Sequence, residues 1–175
     1  MAKPTWTKNP KVERARQEAR ERDELARRDL ELAPRPNDEG TGPPGLPEDV
    51  SALSDDALVR MMTVLSGWAD YLEAELAAAE VHERGCNDIL EVIEAEGLIR
   101  NWGESGSVNV AKARAKVSSS EVVEARDQAQ VAYARRKYLT TIFNRAERGA
   151  ALLSRELTRR LGREQVTRRA DRYST

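Results

Sequence analysis

The sequence predicts an all-α protein: a long antiparallel two-helix hairpin, coiled-coil-like in its packing, with a disordered or loosely helical N-terminal arm. Three observations carry this expectation. All 7 prolines of the 175-residue chain fall within its first 47 residues, so the rest lacks the residue that most effectively breaks helices. Two tracts then place apolar residues at alternating steps of three and four, the spacing of helix-on-helix packing. The two tracts also carry opposite charge. Composition agrees, with 39% hydrophobic, 34% charged and 5% aromatic residues. That mixture suits a thin core of Leu, Ala and Val rather than a broad aromatic one.

The prolines set the boundaries. Residues 1–33 read as a charged arm, 34–50 (PRPNDEGTGPPGLPEDV) as a stiff linker, 51–163 as the hairpin and 164–175 as a basic C-terminal tail. Within the arm, residues 11–32 suit a helix by propensity and by the pairs Arg14–Glu18, Glu18–Arg22 and Glu24–Arg28. Val12, Leu25, Leu30 and Leu32 are its only large apolar residues, too few for a core. The arm reads either as a solvated helix that frays or as a docking arm that orders on a partner or nucleic acid. Residues 1–50 carry a net charge of −1, which does not indicate a basic DNA-binding arm.

The first long helix is expected over about 54–99 and opens on Ser54 as N-cap, Asp55 and Asp56 in the first turn, and Leu53 and Leu58 as a hydrophobic staple. Its seam reads Leu58, Met62, Leu65, Ala69, Leu72, Leu76, Ala79, Glu83, Cys86, Leu90, Ile93 and Gly97. Met61, Trp68 and Ile89 widen this stripe on one flank, so the helix has apolar surface for a second neighbour. The second helix, over about 118–161, opens on a capping box, Ser118-Ser119-Ser120-Glu121, with Val117 and Val122 as its staple. Its seam reads Val122, Ala125, Ala129, Ala132, Arg136, Leu139, Phe143, Ala146, Ala150, Leu153 and Leu157, and Gly162 is the expected stop residue. At 1.5 Å per residue each helix would run about 65–70 Å.

Each seam has one charged interruption. Placing Gly97 opposite Val122 in an antiparallel hairpin also places Glu83 opposite Arg136. A mid-seam polar pair is the best-attested device for fixing register, so these two residues are expected to form a register-setting ion pair. Net charge supports the same pairing, at −9 over 51–106 and +8 over 135–175. Residues 100–117 form the tip, with a turn at Gly103, Gly106 and Ser107 and a short helix over Val108–Val117. Trp102 either plugs the tip or stands exposed as a contact residue.

Two alanine-rich seams bury little surface, so one hairpin is a poor match for the entropy it must order. Met61, Trp68, Ile89, Tyr138, Ile142 and Leu152 lie beside the seams, and from these a homo-oligomer or a larger assembly is inferred.

Catalytic chemistry is not indicated. The single histidine, His82, sits on a charged flank, and the single cysteine, Cys86, reads as a small buried seam residue. A Cys/His zinc site takes about four ligands. GESGS at 103–107 lacks the last glycine of a nucleophile elbow, and no phosphate-binding glycine motif occurs. The chain is therefore expected not to be an enzyme and to use no cofactor, metal or small-molecule substrate. No apolar run long enough to span a membrane is present, and no secretory signal is visible. The remaining candidate is arginine-rich: Arg155, Arg159, Arg160, Arg163, Arg168, Arg169 and Arg172 give residues 152–175 a net charge of +4. These arginines read as a solvated helix end or as a phosphate-binding or partner-docking surface.

The Ala/Arg/Glu-rich hairpin, the entry PPGLPEDVSALSDDALVR and the ending SRELTRR resemble small proteins of tailed phages that infect high-GC actinobacteria. Among these the chain is most similar in kind to the small terminase subunit. That resemblance implies an oligomer that recognises phage DNA and regulates the large terminase subunit in the host cytoplasm. The family's N-terminal helix-turn-helix has no counterpart in residues 1–50, so DNA contact would fall to the arm or to the C-terminal arginines. The alternative is a phage structural protein, a scaffold, capsid-associated or head–tail accessory factor, that binds other virion proteins without touching DNA. Under either reading the protein acts with phage components, in the host cell or in the virion.

Overall fold

The computed structural model describes residues 10–29, 35–36, 42–102, 107–115 and 120–173. Its elements are all helical: α1 (Pro10–Asp29), a 3-10 turn (Val50–Ala52), α2 (Asp55–Trp102), α3 (Val108–Ala115) and α4 (Ser120–Tyr173). α2 and α4 pack against each other as the arms of a helical hairpin.

Local chemistry sets the start of α2. The Ala57 amide donates to Ser54 Oγ at 3.2 Å and the Leu58 amide to the Ser54 carbonyl at 2.9 Å, satisfying groups that a helix end leaves open. Leu53 closes over the buried Leu58. Ahead of it, Asp49 caps the 3-10 turn by accepting from the Ser51 amide at 2.9 Å. Ser118, Ser119 and Val117 of the expected capping box lie outside the described residues, as do the glycines of the tip.

The chain divides into two compact units, Met1–Glu31 with Leu76–Tyr138, and Leu32–Glu75 with Leu139–Thr175. In the first, Val12, Ile93, Val122 and Ala125 form a buried cluster flanked by Ile89, Leu90 and Val92. The arm therefore contributes to a core after all, with Val12 only 2% exposed. The reason is close approach: a Cβ placed on Gly85 would stand 3.0 Å from Ala19 Cβ, so α1 lies on α2 where neither offers bulk. Arg22 pairs with Asp88 at 2.6 Å and Arg16 with Glu121 at 3.3 Å around this contact. α3 lies within the span expected for the tip helix and buries Ala111.

In the second unit Leu58, Leu65 and Leu153 form one buried cluster, and Trp68, Leu72 and Ala146 another. The described part of the proline-rich segment, 35–36 and 42–50, packs on this unit as a strap. Leu46 and Val50 pack on the leucine cluster, and the Arg35 guanidinium sits 5.6 Å from the centre of the Trp68 ring. At Gly149 an added Cβ would meet Leu65 Cδ1 at 2.9 Å and Leu46 at 3.8 Å, so the strap and seam pass closely there.

These contacts answer the question of the second neighbour. Met61, Trp68, Ile89 and Ile142 pack within the chain itself, whereas Tyr138 and Leu152 are 65% and 48% exposed. Trp102 stands exposed at the end of α2. Gly162 does not stop α4, which runs through it to Tyr173. A helical glycine costs about 1 kcal/mol against alanine, and the arginines, glutamate and glutamine around it favour helix strongly enough to continue.

Candidate functional site

The charged interruptions of the seams meet in the first unit, where Arg136 Nε donates to a Glu83 carboxylate oxygen. Both side chains are largely shielded, and the hydrogen bond that Arg136 donates to Glu83 raises the Arg136 pKa above its ordinary value. The Tyr133 ring lies 5.5 Å from the same guanidinium. Further along, Arg126 reaches Glu94 at 2.8 Å, in the same antiparallel sense. A partner lost on either side would leave a poorly hydrated charge, so the chemistry of this pair is positional.

His82 and Cys86 are one helical turn apart on α2, with Sγ and Nε2 separated by 3.8 Å. Cys86 is half-buried rather than buried, and desolvation, followed by the charges of Asp23 and Glu83, pushes its thiol pKa up. Such a thiol is a poor nucleophile. Both residues line a cleft of about 350 Å³ with Arg16, Arg20 and Asp23. Among the described residues, no group of three or more His, Cys, Asp or Glu is placed to hold a metal ion, and no helix is long and apolar enough to cross a membrane.

The structure sorts the seven arginines by face. Arg160 turns inward and acts as a clamp, donating to Asp55 at 2.6 Å, to the carbonyls of Leu53 and Ser51 at 2.8 Å each, and to Glu156 at 2.9 Å. It fastens α4 to the start of α2 and is not available as a binding group. Arg159 is exposed but held bidentately by Glu156 at 2.6 and 2.7 Å. Arg168 pairs with Glu164 at 3.2 Å. Arg155, Arg163 and Arg169 are exposed and make no ion pair among the described residues. Arg172 lies within helical backbone, and its side chain is outside the described residues.

Glu156 organises this end of the site. Hydrogen bonds from Arg159 and then Arg160 lower its pKa to about 2. A depressed carboxylate pKa adds stability that is complete above the unfolded value near 4.5 and is lost as the pH falls towards 2. The E156Q variant is thus expected to be less stable than the parent above pH 4.5, with the gap closing towards pH 2. Thermal melts followed by circular dichroism across that interval check it. A gap independent of pH would show that the carboxylate charge is not what matters.

Two further arginines belong to the same surface and were not singled out by the sequence. Arg145 and Arg148 are exposed and make no ion pair among the described residues. The signal was present in the spacing. Arg145, Arg148, Arg155 and Arg159 each follow a seam residue (Phe143, Ala146, Leu153, Leu157) by two positions, which at 3.6 residues per turn is nearly the opposite side of the helix. No family model, no curated protein and no solved structure matches the chain.

Proposed function

We propose that this chain is a non-catalytic assembly and DNA-packaging protein of the small terminase kind, which oligomerises and binds phage DNA through arginines of α4 beside the large terminase subunit in the host cytoplasm. The observation that carries the reading is the end of α4. Residues 161–169 are exposed on every side, and they bear Arg163, Arg168 and Arg169 against the single acid Glu164. A cationic helix with no covering neighbour among the described residues fits the electrostatics of a phosphate backbone.

The test is fluorescence anisotropy of a labelled duplex with the full chain at rising salt. With three to four phosphates contacted, the log–log slope of affinity against salt is expected near −3 to −4, a loss of roughly 100-fold between 50 and 200 mM. Light scattering in the same samples should give a discrete multiple of the 19.6 kDa chain. A chain that ignores DNA even at 50 mM salt defeats the reading.

A specific observation favours the second reading, a virion structural protein working through protein contacts. Ile99 and Trp102 at the end of α2 and Val108 and Val110 on α3 are 69%, 58%, 45% and 42% exposed. Exposed apolar residues close together in sequence, at the end of α2 and the start of α3, suit a protein partner. Co-purification with virion components without DNA retention is the outcome that reading expects.

A further inference from the structure

We infer that the DNA-binding surface is a ridge along the outward side of α4 that begins at Arg145, well before the helix end, and that its ligand is the sugar–phosphate backbone of duplex nucleic acid, bound without reading sequence. The inference rests on the DNA-binding reading above and deepens it.

The ridge runs Thr141, Arg145, Arg148, Leu152, Arg155, Arg159, Arg163 and Val166, at steps of three and four. All eight are exposed, and none is acidic. They line the side of α4 away from the buried Ala146 and Leu153, so the packing that builds the core also aligns the ridge. Glu147 and Glu164 fall on other sides of the helix. Arg145 to Arg163 spans about 27 Å, longer than a single phosphate or nucleotide needs and commensurate with several phosphates of a duplex.

Four of the five ridge arginines, Arg145, Arg148, Arg155 and Arg163, make no ion pair among the described residues. The fifth, Arg159, is pre-oriented by Glu156. The strap runs close beside the start of the ridge, where a Cβ on Gly45 would crowd Arg145 Nη2 at 3.3 Å and only glycine lets the guanidinium keep its place. Charge complementarity thus favours a long, regular polyanion. An acidic protein is the weaker fit, because such interfaces form around an apolar centre and the ridge offers only Leu152 and Val166. Asn, Gln and acidic side chains, the readers of adenine and cytosine, are absent from the ridge; its arginines pair with phosphates but can also read guanine, and equal binding of a scrambled duplex is what separates the two.

The experiment compares the full-length parent with R145E/R148E and with R163E/R169E, using a labelled duplex and a scrambled duplex of equal length between 50 and 200 mM salt. Circular dichroism confirms helix content, and R145Q/R148Q provides a milder second variant. The parent is expected to bind both duplexes equally. R145E/R148E should bind roughly ten-fold more weakly or worse at 50 mM, with the salt slope shallower by about 2, and R145Q/R148Q should show the same slope change. Parent-like affinity and slope in both Arg145/Arg148 variants, with loss only in R163E/R169E, would overturn the ridge while leaving DNA binding at the helix end. No binding by the parent would overturn the underlying reading as well. Displacement of the duplex by polyglutamate at equal charge would replace nucleic acid with an acidic protein as the ligand.

Discussion

Replacing Trp68 by alanine is expected to destabilise the second unit by about 3–5 kcal/mol, the range for emptying a buried aromatic site. Trp68 is 2% exposed and is the largest fully buried side chain. It packs with Leu72 and Ala146, meets Tyr71 edge-on at 5.9 Å and carries the Arg35 guanidinium over its ring. A core built on alanine has little else of that volume and cannot collapse into the void without moving whole helices. At a slope of about 2 kcal/mol per molar urea, the midpoint of that unit should fall by about 2 M. Trp68→Phe makes the contrast. The indole Nε1 is buried with no hydrogen-bond partner among the described residues. Phe removes an unsatisfied donor while keeping most of the contact, so its cost should stay below about 1.5 kcal/mol. Equal midpoints for the alanine variant and the parent would mean that the ring does not hold this unit together.

Leu153→Ala is expected to cost about 2–5 kcal/mol, whereas Leu152→Ala, one residue away, should stay within about 0.5 kcal/mol. Leu153 is fully buried between Leu58 and Leu65, with Leu46 of the strap packed on the same cluster. Leu152 faces outward on the ridge. The comparison reads the orientation of α4 directly, since a rotation of the helix by about 100°, the angle between neighbouring residues, would bring Leu152 to the core in place of Leu153. Urea titrations of both variants suffice. Similar costs at the two positions would place α4 differently from the hairpin described here.

Much of this architecture was legible in the chain itself. The steps of three and four from Leu58 and from Val122, the Ser54 cap and the absence of proline after Pro47 specify long helices, because periodicity and capping are local properties. The coincidence of Glu83 with Arg136 in an antiparallel register was also readable, since each was the lone charge of its seam. The arm was harder. Val12 is one valine among charges, and only the approach of Ala19 to Gly85 gives it a pit to fill. The site was partly legible: counting arginines identified a basic end, but counting does not say which way a guanidinium points. Arg160 was grouped with the binding residues and proves to be a clamp, while Arg145 and Arg148 went unnoticed because Glu147 stands between them in the sequence.

By itself, then, the sequence determined helix type, approximate span, hairpin direction and the seam-facing residues, all of which follow from spacing along one strand of chain. Tertiary structure alone decided what covers the second flank, that Gly162 does not end α4, and which arginines share a face. Those outcomes depend on separation in space between residues distant in sequence, on the bulk available at Gly85 and Gly149, and on competition between Glu156 and solvent for the same guanidinium groups. A pattern of residue types fixes periodicity, but only packing fixes which surface remains open to a partner.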